Sequence, residues 1–555
     1  MNKKIFYILA LATVVLSGCG FLDKEPDNRT EITTLAQVKK LLATAYSDAD
    51  FAWICEMSSD NIVDNNSEDG SWTRYNLSVD KGQAENEAFA WEPTNSMSSN
   101  DGDAPVRIWT DAYKAIAVAN HAMEAMDAIE AKDSTIDCSK ARAEAYLCRA
   151  YNHFVLANIF CMPYRDSALS EFNQGVPYMT EPERVVYSNA DRGTLTELYN
   201  KIEKDMLEGL KNVSDEYDQP KYHFNKQAAY AFATRFYLYK RDYDKVIKYA
   251  TMALGGNPMQ CMRTEYWSKS YATYESLLHA YSNTQLPGNF LITPTYSTVY
   301  RSIVGGRYAC NRQASKATVY GQGPTWQAYN FHPCYVKVGG LRTADPDYGL
   351  YFAHAGEYFE YTDKIAGIGH PHNVNITFSA EETLLCRAEA YIMKRDYTNA
   401  LADLKVWDDS RKVGTTESLA DLTPSLIESF YDHDIQDHGT RVYRISELHC
   451  SDICPDWVID TKQNIWLNCV LHFRRLETIH EGLRWFDIKR YGIEVRHKQG
   501  LEAEKILPWD DLRRAIQIPA TVIEAGMTPN MALSPKTTDN TKLVTASCLL
   551  TNDEE

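Results

Sequence analysis

The stretch LHFRRLETIHEGLRWFDIKRYG, Leu471–Gly492, sets charged residues among large apolar ones. Arg484, Asp487 and Arg490 stand three apart, so on a helix they share one face, where opposite charges pair and long side chains pack. The spacing reads as scaffold, a joint between helices, rather than as a catalytic triad or a ligand site. HEGLR at His480 begins like the helix of a zinc protease, but Arg484 stands where the second histidine must be. No metal can be held there.

Upstream, two segments echo each other: RAEAYLCRAYNHFVLANIF from Arg142 and CRAEAYIMKRDYTNALADL from Cys386. A third, AFATRFYLYKRDYDKVIKYATMAL from Ala231, shares KRDY with the second. Tyr237 to Tyr243 and Tyr391 to Tyr397 keep the same interval. Ala388, Tyr391, Tyr397 and Ala400 fall where a tetratricopeptide helix pair places its small and aromatic packing residues. Alanine admits the neighbouring helix and tyrosine fills the groove beside it. The copies are degenerate and separated, so the pattern predicts helix pairs without a regular solenoid. WTDAYKAIAVANHAMEAMDAI, from Trp109 to Ile129, carries apolar residues at helical spacing ahead of them. Between the helices, Ser58–Asn100 and Tyr281–Tyr361 are turn-rich and studded with aromatics; long irregular stretches of this kind are usually functional loops. From Pro535 the sequence is largely polar and is expected to pack weakly.

The opening, MNKKIFYILALATVVLSGCG, has a basic start, an apolar run from Ile5 to Leu16 and small residues before Cys19. This is the pattern of an export signal, too short for a transmembrane helix. Leu16-Ser17-Gly18-Cys19 resembles a bacterial lipobox, whose cysteine is lipidated and becomes the first residue; an ordinary signal with an incidental cysteine is the alternative. The whole chain carries −18, from 57 basic and 75 acidic residues. Such a field disfavours nucleic acid and anionic lipid as partners, so attachment to a membrane has to come through the lipid. Cysteines number 13 and lie scattered, several inside helical patterns, as buried thiols do. Cys450 and Cys454 form the one close pair, open to a disulfide but without the second ligand pair of a zinc site. Tyrosine outnumbers phenylalanine 36 to 18, which points to a wet binding surface, since Tyr joins an apolar face to a polar tip.

No catalytic signature stands. There is no GxSxG and no phosphate loop, and GIGHPH from Gly367 does not continue as a dinucleotide loop. DNNSEDG from Asp64 looks like a calcium loop, but Asp69 replaces the required glycine and Tyr75 the bidentate glutamate. No cofactor and no metal are expected.

Arg475, Glu477, Glu481, Gly482, Arg484, Asp487, Arg490, Tyr491 and Gly492 resemble the signature of the SusD/RagB family, an Arg-Glu-rich helix running into EG-x-R-x-x-D-x-x-R-[WY]-G. Ile518, Pro519, Ile523 and Asn530 are similar to its closing segment; Cys19 followed by FLDKEPDN, SSDN at Ser58 and the helix from Trp109 to Asn120 match as well. The middle, about Tyr266 to Ile376, shows little of the pattern. The resemblance implies a mainly α, SusD-like fold, with degenerate tetratricopeptide helix pairs as scaffold and aromatic-rich loops as ligand face. It implies a signal peptide over 1–18 and two regions, 19–260 and 261–555, packed as one unit. It implies a surface-exposed outer-membrane lipoprotein, anchored through Cys19, that binds glycans, or in some members peptides. Such proteins do no bond-breaking chemistry and deliver cargo to a SusC-like TonB-dependent transporter.

Sugars need aromatic faces for their C–H surfaces and amide, carboxylate and guanidinium partners for their hydroxyls. Asn66, Trp72, Tyr75 and Trp91 in the first loop region and Tyr296, Tyr320 and Trp326 in the second are therefore the expected ligand-binding residues. Trp326 is expected as an exposed stacking surface, lifted off the scaffold by a turn at Gly321, Gly323 and Pro324. Trp53, Trp109, Trp466 and Trp485 lie in helical patterns and are assigned to packing. The competing readings are a lipid-anchored glycoside hydrolase using two carboxylates, and a structural partner of the transporter that never touches ligand.

Overall fold

A computed structural model describes residues 32–67, 82–182, 191–303, 306–311, 314, 318–319, 321–327, 337–338, 353–412, 419–432 and 445–531. Two short helices come first, α1 (Leu35–Leu42), whose N-cap Thr34 and Gln37 form a reciprocal capping box, and α2 (Ala52–Ser58). The scaffold follows in chain order. It comprises α3 (Pro105–Lys132), α4 (Ser139–Phe160), α5 (Leu195–Asn212), α6 (Lys226–Lys240) and α7 (Tyr243–Leu254). After the small α8 (Tyr274–Tyr281) it continues as α9 (Ala380–Met393), α10 (Tyr397–Lys412), α11 (Thr461–Glu477) and α12 (Leu483–Tyr491). Neighbours in sequence pack as pairs, α3 with α4, α6 with α7 and α9 with α10, and α7 against α9 joins two of the pairs. None of the described helices is long and apolar enough to cross a membrane.

The KRDY repeat has a specific mechanical role. Arg241 and Arg395 both take the left-handed conformation, at φ 60 in each case. In the first copy Arg241 N donates to Leu238 O and Asp242 N to Tyr237 O, at 3.1 and 3.0 Å; in the second Arg395 N donates to Ile392 O and Asp396 N to Tyr391 O, at 2.9 and 2.8 Å. This is the two-bond closure that ends a helix when the next residue turns left-handed. The aspartate then starts the following helix: Lys245 N donates to Asp242 and Asn399 N to Asp396. One four-residue stretch thus stops a helix, reverses the chain and caps the next. Ala388 and Ala400 are fully buried where α9 and α10 meet, and Tyr237 lies parallel to Tyr249 at 5.6 Å between α6 and α7.

A three-stranded antiparallel sheet stands against the helices. It is formed by β1 (Asn289–Thr295), β2 (Glu357–Asp363) and β3 (Ile368–Ser379), in the order β1-β3-β2. The main hydrophobic core draws on residues from Val38 to Ile518, whereas Tyr266, Leu277, Leu278, Tyr281, Leu286, Ile292 and Ile376 form a second, small cluster between the sheet and α8. The four tryptophans assigned to packing are buried, Trp466 and Trp485 completely.

Candidate functional site

Side chains two apart on a strand share a face. On β1 these are Thr293 and Thr295, and on β3 Asn375 and Thr377; Thr293 pairs across the ladder with Asn375. This hydroxyl and amide face looks toward Ile108 and Ala112 of α3, Tyr151, Asn152 and Val155 of α4, and the Tyr46–Phe51 segment, leaving a cleft between sheet and helices. Its free volume is about 50 Å³, room for a few water molecules, so it is a narrow seam rather than a deep pocket. Asp50 organises the floor. Its Oδ2 accepts from Asn375 Nδ2 at 2.9 Å and Thr295 Oγ1 at 3.1 Å, and its Oδ1 accepts from Ala52 N at 2.8 Å.

Tyr296 stands at the end of β1, 40% exposed, on backbone fixed from two sides. Its N–H donates to Asp48 O at 2.8 Å, and Gly102 lies so close that a Cβ there would come within 2.3 Å of the Tyr296 carbonyl oxygen. His370 meets the ring edge-on at 5.9 Å. Behind it, Asp103 accepts from Ser297 Oγ, Thr298 N and Thr298 Oγ1 at 2.6, 2.8 and 2.9 Å. Burial and then nearby Asp50 push the Asp103 carboxyl up to about 7 despite those hydrogen bonds. The exposed ring thus stands on rigid backbone one residue beyond the hydrogen-bonding cleft wall and outside its lining.

The charged residues of the Leu471–Gly492 stretch are spent inside the scaffold. Asp487 is fully buried between Arg474 at 3.0 Å and Arg490 at 2.7 Å, and Arg490 also binds Glu389 at 2.7 Å. Glu477 accepts from Trp407 Nε1 at 2.8 Å and pairs with Arg263 and Arg411. Glu481 accepts from Tyr281 Oη at 2.8 Å; burial raises its carboxyl to about 8 against the pull of Arg263. Gly482 and Gly492 bracket α12 in left-handed conformations, at φ 77 and φ 66. Arg484 departs from the expected pairing. Its partner is Asp60, gripped through two nitrogens at 2.9 and 2.8 Å, while Arg475 donates to Asn61 Oδ1 at 2.8 Å. Burial would raise the Asp60 carboxyl, but Arg475 and Arg484 outweigh it and hold it well below the usual carboxylate range. The Ser58–Asn61 tetrapeptide and the late motif are two halves of one joint.

A family model described as "Starch-binding associating with outer membrane" matches residues 20–238. A SusD-like protein P2 of Formosa agariphila is 21% identical over 445 residues, 74% of this chain and 77% of that protein. A SusD superfamily crystal structure from Bacteroides thetaiotaomicron superposes with a TM-score of 0.53 at 18% identity, covering 90% of this chain and all of that one. A SusD-like protein of Bacteroides fragilis gives 0.54 at 17% identity over 91% and 99% of the two chains, and a SusD-like carbohydrate binding protein from Bacteroides vulgatus gives 0.53 at 14% over 89% and 96%. The chain has a SusD-like fold.

Within this SusD-like fold the expected ligand residues scatter. Trp326 is corrected: it is buried, 2% exposed, with its indole N–H donating to Gly321 O at 3.1 Å and its ring packed near His472 and Phe473. Gly323, expected to lift the ring, instead makes room for it, since a Cβ there would fall 2.1 Å from the indole. Trp91 is likewise buried, stacked on His497 at 4.4 Å, with its indole N–H donating to Ser58 O at 2.9 Å. Asn66 is half-buried; its N–H donates to Asp64, whose carboxylate is held by Arg307. Tyr296 alone of the described set is exposed beside the cleft. Trp72, Tyr75, Tyr320 and Cys19 lie outside the described residues. Cys450 and Cys454 are free, buried thiols, and Cys454 Sγ donates to Asp166 at 3.1 Å. Missed by the aromatic count were Asp50, Tyr151, Thr295 and Asn375. For Thr295 and Asn375 the signal was the alternation of hydroxyl and amide residues along T-P-T and N-V-N-I-T; Asp50 and Tyr151 lie outside those stretches.

Proposed function

We propose that this chain is a non-catalytic carbohydrate-binding protein, lipid-anchored through Cys19 at the outer-membrane surface, that passes glycan to a SusC-like TonB-dependent transporter. The starch-binding, membrane-associated family whose model matches, and the carbohydrate-binding neighbour from Bacteroides vulgatus, support the ligand class and the membrane. The observation that carries the reading is the exposed Tyr296 ring, held on fixed backbone one residue beyond the Thr295–Asn375–Asp50 cleft wall, so that an aromatic surface and a hydroxyl and amide surface occur at the same end of β1. The hydrolytic alternative needs two carboxyl groups turned toward a substrate. Asp50 and Asp103 are both buried and bound to Ser, Thr, Asn and backbone donors, which favours bracing over catalysis.

Retardation in gels containing soluble starch and other neutral polysaccharides, followed by calorimetric titration with the best, tests this. Tyr296→Ala should weaken binding several-fold, since stacking adds about 0.5–1.5 kcal/mol and about 1.4 kcal/mol is tenfold. Release of shorter sugars would replace the proposal by the hydrolase, and transporter binding with no retained glycan by the structural partner. Cys19→Ala should move the protein from the membrane to the soluble fraction; retention there would remove the lipid anchor from the reading.

A further inference from the structure

Alternation along β2 divides its side chains between the two faces of the sheet. Tyr358 turns toward α8, where its ring meets His279 and its hydroxyl lies 3.1 Å from Ser282 Oγ. Glu357, Phe359 and Tyr361 take the other face. The register identifies it: Glu357 stands opposite Asn373, and Asn373 opposite Thr295, which lines the cleft between sheet and helices. The hydroxyl and amide wall therefore continues, strand by strand, into the outward run of β2. Tyr296 does not share this face. Its ring meets His370, which pairs with Glu360 on the Tyr358 side.

The row changes character as it leaves the scaffold. Glu357 holds Arg301, of the short helix Val299–Ile303, through both carboxylate oxygens, which accept at 2.7 and 2.6 Å. The Arg301 side chain is still 53% exposed, so this planar pair is fixed and yet open to solvent. Beyond it Phe359 and Tyr361 are exposed, and their rings meet edge to face at 4.8 Å. Gly369 makes room for the first of them: a Cβ there would fall 2.8 Å from Phe359 Cε1. The apex is held as well, with Asp363 accepting from Ile365 N and Ala366 N at 2.9 and 3.0 Å. At about 3.4 Å per residue, the row from Glu357 to Tyr361 is about 13–14 Å long, more than a single sugar ring. C–H faces of sugars suit the two rings, and hydroxyls suit a guanidinium and carboxylate held in one plane. Glu360 and Asp363 flank the row on a chain of charge −18, and Lys364 is the one Lys or Arg between Glu357 and Ser379. That field repels an acidic occupant and leaves an uncharged one.

We propose that Phe359, Tyr361 and the Glu357–Arg301 pair form a second carbohydrate-binding surface, separate from Tyr296, for an extended neutral polysaccharide. The inference rests on the carbohydrate-binding reading above. Retardation of the full chain in gels of soluble starch, β-glucan and galactomannan, beside the acidic polymers alginate and pectin, tests it. At least one neutral polymer should retain the protein, and neither acidic one should. Phe359→Ala/Tyr361→Ala should weaken that retention about tenfold with unchanged thermal melting, since both rings are exposed. Phe359→Tyr/Tyr361→Phe keeps both rings and should bind as the parent does. Arg301→Met, outside the hairpin, should weaken retention several-fold, which covers a double variant that misfolds. Adding Tyr296→Ala should lower retention further, as two separate surfaces require. Undiminished retention of both the double alanine and the Arg301 variants overturns the second surface and leaves the Tyr296 site standing. Loss in those variants with Tyr296→Ala at full strength keeps the row and removes Tyr296 from the proposed function. Retention by the acidic polymers alone overturns the neutral class, and retention in no gel overturns both readings.

Discussion

Replacing Asp487 by alanine tests whether the late motif is scaffold. Its Oδ2 accepts from Arg474 and its Oδ1 from Arg490, all three residues buried. Arg490 keeps two contacts to Glu389 after the change, at 2.7 and 3.1 Å. Arg474 is left with Glu382 at 3.4 Å, the Cys386 thiol at 3.0 Å and Glu389 at 4.0 Å, weak compensation for a fully enclosed guanidinium. Stranding one member of a buried pair costs about 3–5 kcal/mol. Unfolding entropy of roughly 2 cal/mol/K per residue, scaled to a chain of this length, is about 1 kcal/mol/K, so the melting temperature should fall by about 3–5 °C. pH gives a second signature. Burial would raise the Asp487 carboxyl, but Arg474 and Arg490 outweigh it and lower its pKa in the folded state. A depressed folded pKa contributes stability above the unfolded value and loses it as pH falls through the folded one, so the gap between wild type and variant should narrow in acid. Scanning calorimetry at neutral and acid pH measures both. A melting temperature within about 1 °C of wild type at neutral pH would mean the ion pairs contribute little, and the motif would need another role.

Trp326→Ala should unfold the protein earlier, by the about 3–5 kcal/mol typical of emptying a buried tryptophan site, and thermal melting will show it; unchanged melting with lost binding would return Trp326 to the ligand face. Asp103 has its folded pKa raised to about 7 from the ordinary 3.8, so between those values the folded state holds the extra proton and stability falls as pH rises. Asp103→Asn should flatten that slope in denaturant titrations from pH 4 to 7; an unaltered slope would assign it to other groups.

The helical scaffold was legible because its signals are local. KRDY recurs at the same place in two of the repeated segments, and the alanines and tyrosines around it announce a packed pair. Trp485 and Trp466 were legible as core for the same reason, through the periodicity around them. The salt-bridge partner of Arg484 was not, because Asp60 lies 424 positions upstream and one-dimensional spacing offers Asp487 first. Trp326 failed on a subtler point. A glycine turn can project a side chain or accept it against bare backbone, and Gly323 does the second. The cleft wall was readable in the strands, since Thr293, Thr295, Asn375 and Thr377 alternate cleanly, but threonine and asparagine are also what ordinary turns contain. The side chains opposite them, Tyr151 and Asn152, sit inside a helix whose pattern gives no hint that one end faces a sheet.

The clasp between Asp60 and Arg484 has a consequence for the order in which the molecule comes together. A chain emerging from its N-terminal side shows the Ser58–Asn61 corner long before the segment that completes it. Until then Asp60 keeps its water, Glu56 lacks the Gly482 N–H that it accepts at 3.1 Å, and α2 has no α12 to lie against. Contacts across so many residues return free energy only after the loop between them has closed, so they form late. The two helix pairs joined by KRDY, by contrast, can close as soon as that turn is made. Maturation should therefore run in two tempos, quick local pairing followed by one slow ring closure. The last knot is tied between Asp60 and Arg484, 424 positions apart on the thread.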